Sequence, residues 1–130
     1  MTYAAAFTSH RQTWRTPTAL YRRLDDEFRF TLDPCPPDDR SGYDGLLASW
    51  EGERVFCNPP YSQVRGWIEK CHTESVSCGC VVALVPARTD TGWFHDYCLC
   101  ASEVRFIRGR LRFDDGPGSA PFPSMIVVWL

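Results

Sequence analysis

Apolar residues along the chain fall into two rhythms. Leu20, Leu24 and Phe28 recur at four-residue spacing with Tyr21 beside them, and Val64, Trp67, Ile68 and Cys71 repeat at spacings of three and four. Each set is the stripe of a helix that buries one face. The first helix is expected over residues 17–27, with Thr16 as N-cap and Pro17 at the first helical position. The second is expected over residues 63–75, with Ser62 as its cap. The other rhythm is the unbroken apolar run: Val55-Phe56-Cys57, Gly79 to Val85 and Met125 to Leu130 read as buried strands. Phe28 to Leu32 reads as another, stopped by Asp33-Pro34. Glu103 to Arg108 and Leu111 to Phe113 flank Gly109 and predict two strands or one kinked strand, and residues 93–100 a short helix.

Strand, helix, strand in succession predicts a parallel crossover. The expected class is therefore α/β, with a mostly parallel sheet and helices on both faces. Residues 1–15 lack periodicity and read as an N-terminal arm before one domain, residues 16–130. Asp38 to Gly45 and Asp114 to Gly118 have loop composition.

Composition narrows the picture. At 130 residues and 44% hydrophobic, with five Trp and eight Phe, the chain has material for a real core. It has no apolar run of membrane-spanning length and no signal-like start, so no membrane partner is expected and the cytosol is the default address. Seven cysteines without an export signal read as free thiols. Cys78-Gly-Cys80 and Cys98-Leu-Cys100 have one intervening residue where zinc knuckles have two to four, so no metal is expected. A net charge of −2 is not that of a protein that coats nucleic acid. Its distribution says more. Acids gather between Asp25 and Glu53, while Arg105, Arg108, Arg110 and Arg112 crowd one stretch, a pattern fitting either solvated faces of opposite sign or a polyanion met on one side.

The sharpest chemical signal is Asn58-Pro59-Pro60-Tyr61, directly after a strand. Residues preceding proline are held extended, and proline fixes its own φ, so the turn is stiff. The Asn58 side chain and the Pro59 carbonyl offer two acceptors for the two hydrogens of an amino or amide nitrogen. Accepting both draws a conjugated nitrogen toward tetrahedral geometry and frees its lone pair, while Tyr61 can stack on a planar substrate. Asn58 is no base; its contribution is positioning and electrostatics. If the strands are parallel, Asp33 lies at the same sheet edge, where open α/β sheets bind ligands. As a structural alternative it caps its own turn. Arg88 and His95 lie beside that edge and have no assigned role.

In order along the chain, Thr16-Pro17, Phe30-Thr31-Leu32-Asp33-Pro34, Asp44-Gly45-Leu46, Asn58-Pro59-Pro60-Tyr61, Leu84-Val85-Pro86-Ala87-Arg88, Trp93-Phe94-His95 and Gly109-Arg110-Leu111-Arg112-Phe113 closely resemble the phage DNA N6-adenine methyltransferase family. The resemblance covers nearly everything from Thr16 onward. It implies an abbreviated Rossmann-like methyltransferase fold, S-adenosylmethionine as cofactor and DNA as partner. It also implies that Asn58, Pro59, Pro60 and Tyr61 hold a flipped adenine, and that Thr16, Pro17, Asp33 and Asp44 meet the cofactor. For a phage or prophage protein the address would be the host cytoplasm. Arg105, Arg108, Arg110 and Arg112 are then the expected phosphate contacts. Where the wider class of amino-methyltransferases carries a Gly-x-Gly loop, Pro36 and Pro37 follow Asp33-Pro34-Cys35. With no room for a separate recognition domain, weak or very short sequence specificity is expected. Adenine in RNA, a protein glutamine, or a non-catalytic DNA-binding role remain the alternatives.

Overall fold

The computed structural model describes residues 15–36, 42–113 and 118–130. The expected arm, except for Arg15, lies outside the described residues, as do positions 38–41 and 114–117 of the two expected loops. Helix α1 spans Thr18–Phe28. Its N-cap is Pro17, not Thr16: Pro17 has ψ 129°, outside the helical range, and its carbonyl accepts the Tyr21 N–H at 3.0 Å. At the far end Arg29 turns left-handed (φ 55°) and donates its N–H to the Asp25 carbonyl, while the Asp25 carboxylate takes the Phe30 N–H at 3.0 Å. This closure removes Phe28 and Arg29 from the strand expected there. Only Leu32 pairs, in a single parallel bridge to Val55.

Strand β1 is Arg54–Cys57. After it, one 3-10 turn at Tyr61–Gln63 leads into α2, Val64–Glu74. Strand β2 is Cys80–Pro86, buried throughout. The short helix expected near residue 93 is a π-helical turn at Phe94–Cys98. Strand β3 is Glu103–Phe106, and β4 is Ser124–Trp129. The strand expected at Leu111–Phe113 is extended chain outside the ladder; there Leu111 offers its carbonyl to the Ala120 N–H at 2.7 Å. Gly109, at φ 76°, makes the turn between them.

The four strands lie in the order β1-β2-β4-β3. β1 and β2 pair in parallel, as the crossover through α2 requires, but β4 is antiparallel to both neighbours. The expectation of a mostly parallel sheet is thus corrected. β1, β2 and β3 all point the same way, and β4, inserted between β2 and β3, makes two of the three pairings antiparallel. The α/β class stands, with helices on both faces. Alternation along the strands sends Val55, Cys57, Val81, Ala83, Val127 and Trp129 to the α2 side with Trp67 and Ile68. Phe56, Val82, Leu84, Ile126 and Val128 face α1 with Leu24 and Phe28. No helix among the described residues is long and apolar enough to cross a membrane.

Candidate active site

Because β1, β2, β3 and the Leu32 bridge run in one direction, their C-terminal ends meet at one edge of the sheet. Asp33, Asn58, Ala87 and the 107–113 segment all leave the sheet there. β4 enters from the same side, with the Pro123 carbonyl accepting the Ala87 N–H at 2.8 Å.

Asn58 follows Cys57, whose side chain faces α2, so the alternation turns Asn58 toward α1. There its amide nitrogen donates to the Thr16 hydroxyl at 3.1 Å. Thr16 is therefore not a helix cap but a partner of the motif's central residue. Pro59 is buried, and Pro60, extended at ψ 140°, lends its carbonyl to the Gln63 N–H at 3.0 Å. Tyr61 is half-buried, touches the packing on both faces of the sheet, and meets Phe122 edge to face, with centroids 4.8 Å apart and planes at 85°. Phe122 has no counterpart in the sequence reading. Its signal was an aromatic held between Pro121 and Pro123 just before the last strand.

Asp33 accepts the Cys35 N–H at 3.0 Å, closing its own turn. Its side chain is exposed, yet protein around the carboxylate withdraws enough solvent to push its pKa up, against the lowering effect of that hydrogen bond. Asp44 makes the same kind of turn, accepting the Leu46 N–H at 2.9 Å. The turn-capping alternative for Asp33 thus holds, and each acid uses one carboxylate oxygen in its turn.

The two turns abut. A Cβ on Gly45 would run into the Pro34 carbonyl oxygen and lie 2.8 Å from the Pro34 carbonyl carbon. The Gly45 carbonyl is also held by the Trp50 indole N–H at 2.9 Å. Between the turns opens a cleft of about 380 Å³, lined by Pro34, Cys35, Pro36, Tyr43, Asp44 and Trp67 among others. That is the scale of a small-molecule site. Burial and the neighbouring Asp33 carboxylate push the Cys35 thiol up to about 12, so it stays protonated and apolar there.

The four arginines separate. Arg105 lies in β3, where its guanidinium grips Glu27 of α1 through two hydrogen bonds, at 2.7 and 2.6 Å, and Glu103 at 3.0 Å. It also stands over the Phe28 ring at 5.4 Å. Such a group ties β3 to α1. Arg108, Arg110 and Arg112 are exposed at the shared edge, while their neighbours Leu111 and Phe113 turn inward. His95 meets the Thr89 carbonyl at 2.8 Å, and Arg88 is exposed.

The Asn58-Pro59-Pro60-Tyr61 turn at the C-terminal end of β1 is the tetrapeptide on which the resemblance to amino-group methyltransferases rests. Residues 4–124 match the family described as DNA N-6-adenine-methyltransferase (Dam), and the chain belongs to that family. Among curated proteins, the DNA N-6-adenine-methyltransferase of Haemophilus phage HP1 (strain HP1c1) is 28% identical over 119 residues, covering 82% of this chain and 68% of the relative. No solved structure matches.

Proposed function

We propose that the chain transfers a methyl group from S-adenosylmethionine to N6 of a flipped adenine in DNA, on an abbreviated Rossmann-like sheet whose inserted β4 accounts for the antiparallel pairings. The observation that carries this reading is the Asn58–Thr16 hydrogen bond. By engaging the amide nitrogen, Thr16 fixes which way the amide faces, with its oxygen on the opposite side. An acceptor held this way can take one N6 hydrogen, and the Pro59 carbonyl takes the other. Tyr61 offers its ring to the base.

The cleft between the 33–36 and 42–46 turns fits a nucleoside-bearing cofactor: it has the volume, an aromatic wall in Tyr43 and Trp67, and Asp44 in its lining, with Asp33 next in the chain to the lining residue Pro34. S-adenosylmethionine, when bound, supplies an electrophilic methyl group on a sulfonium sulfur. Asp33 and Asp44 each retain a carboxylate oxygen for its hydroxyl or ammonium groups. A carboxylate short of solvent, as at Asp33, gains when such a donor arrives. Burial of the reacting atoms favours the step, because the sulfonium charge is lost as the methyl moves. Arg108, Arg110 and Arg112 neutralise phosphates without reading sequence.

The test is to incubate the protein with methyl-labelled S-adenosylmethionine and unmethylated DNA, digest the DNA and analyse its nucleosides by mass spectrometry, with Asn58→Ala alongside. Label on N6-methyladenine that disappears in the variant is the expected result. Label found only on RNA or protein acceptors offered in parallel would overturn the reading.

A further inference from the structure

Among the described residues, one buried side-chain polar atom has no hydrogen-bond partner: the hydroxyl of Ser124, a residue 2% exposed. A buried hydroxyl left unpaired costs folding free energy and calls for an explanation. Its position supplies one. Ser124 opens β4 opposite Pro86, the last residue of β2, so it stands at the same sheet edge as Asn58, two strand spacings across from β1. The alternation that sends Ile126 and Val128 toward α1 sends Ser124 to that face too, the face on which Asn58 meets Thr16. The Tyr61–Phe122 ring pair packs against the same face. Two strand spacings across the sheet and two residues along it separate the two backbones by roughly 12 Å, the span of a purine with a hydrogen bond at each end.

We propose that the Ser124 hydroxyl reads the flipped base, donating a hydrogen bond to a ring nitrogen of adenine while Asn58 holds N6. The inference rests on the function proposed above and adds a specificity-determining residue to it. A base stacking on Tyr61 displaces the edge of the Phe122 ring and reaches the hydroxyl, which is unsatisfied until then. A site built to hydrogen-bond its substrate rejects analogues that leave its buried polar group unpaired.

The experiment pairs Ser124→Ala with atom-replaced DNA. Thermal unfolding of the protein alone comes first: the variant is expected to be as stable as wild type or more so, because it loses a hydroxyl that has no partner. Methyl transfer is then measured on DNA copied with deoxyadenosine or with its 1-deaza, 3-deaza or 7-deaza analogue. Ser124→Ala should lower kcat/KM on ordinary DNA about tenfold. One deaza analogue should cost wild type a similar factor and cost the variant nothing further. A clear loss of thermal stability in Ser124→Ala would assign the hydroxyl a structural partner and overturn the inference. So would unchanged transfer by the variant, as when the hydroxyl serves only an ordered water, or losses that multiply for every analogue. If wild type forms no N6-methyladenine, the function proposed above falls first and the inference goes with it.

Discussion

Replacing Gly45 with alanine adds one methyl group where the two turns of the cleft touch. The new Cβ would overlap the Pro34 carbonyl oxygen and crowd the Pro34 carbonyl carbon at 2.8 Å and the Pro34 Cβ at 2.9 Å. Two of those atoms are backbone, and neither side can give way cheaply. The Pro34 side chain is fully buried, and the Gly45 carbonyl is tied to Trp50, itself fully buried. Overpacking of this kind costs about 2 kcal/mol, roughly a 6–10 °C fall in Tm for a chain of this size. Gly66 supplies the internal control. It lies within α2, and a Cβ there meets nothing within 4 Å, so Gly66→Ala should stabilise by about 1 kcal/mol. Urea unfolding followed by tryptophan fluorescence reads both changes, and titration with S-adenosylmethionine reads the cleft. Opposite signs for the two variants, with weakened cofactor binding only in Gly45→Ala, are expected. A Gly45→Ala protein that unfolds and binds like wild type would refute the close approach of the turns and the cleft built on it.

The arginines should divide in a salt titration of DNA binding. Arg108→Ala, Arg110→Ala and Arg112→Ala should each reduce the slope of log K against log salt by about 1, while Arg105→Ala should leave the slope alone and cost about 1 kcal/mol of stability through the lost Glu27 pairing; equal slopes for all four variants would contradict the division. Asp33 has a folded-state pKa above its unfolded one, so its ionisation opposes folding. The penalty is complete above the folded pKa and vanishes as pH falls below the unfolded value. Asp33→Asn should therefore raise stability at pH 7, with the difference fading in acid, while weakening cofactor binding; a variant less stable at pH 7 would show the carboxylate to be a structural asset. Arg29 sits at φ 55° at the end of α1, and Arg29→Gly should relieve about 1 kcal/mol of strain, visible as a raised Tm. No change in Tm would mean that contacts of the arginine side chain offset the relief.

Local signals carried the elements well, because apolar rhythm and proline punctuation are properties of neighbouring residues. α2 and β2 lie within one or two residues of their expected limits for that reason. What depended on distant partners was not legible. Nothing near Arg105 in the sequence announces Glu27, 78 positions away. The Thr16–Asn58 bond spans 42 positions, and Thr16 had the credentials of a helix cap until the chain folded. The insertion of β4 is likewise silent. An apolar run such as Met125 to Trp129 reads the same in either direction, and only its neighbours decide which pairings are antiparallel. Phe122 and Ser124 escaped because neither is remarkable by type. Their meaning comes from the edge on which β4 begins.

The missing glycine loop after Asp33 has a structural counterpart elsewhere. A glycine-rich loop lets backbone come close to a ligand, but it must be ordered when the ligand binds. Here prolines follow the acid, and a glycine that permits a close approach, Gly45, lies on the opposing turn, where it receives the Pro34 carbonyl. The close contact is made between two protein segments before any ligand arrives. Asp33 and Asp44 each fasten their own turn through a single oxygen, and Trp50 fastens the second turn from below. On the function proposed above, the described walls of the cleft, residues 33–36 and 42–46, are fixed by contacts made on folding. On the same proposal Thr16 acts likewise in the transfer step, since its hydrogen bond orients the Asn58 amide on folding. In both places this chain sets geometry through contacts made on folding, which is the form of catalysis the proposed function asks of an amide, since an amide is no base.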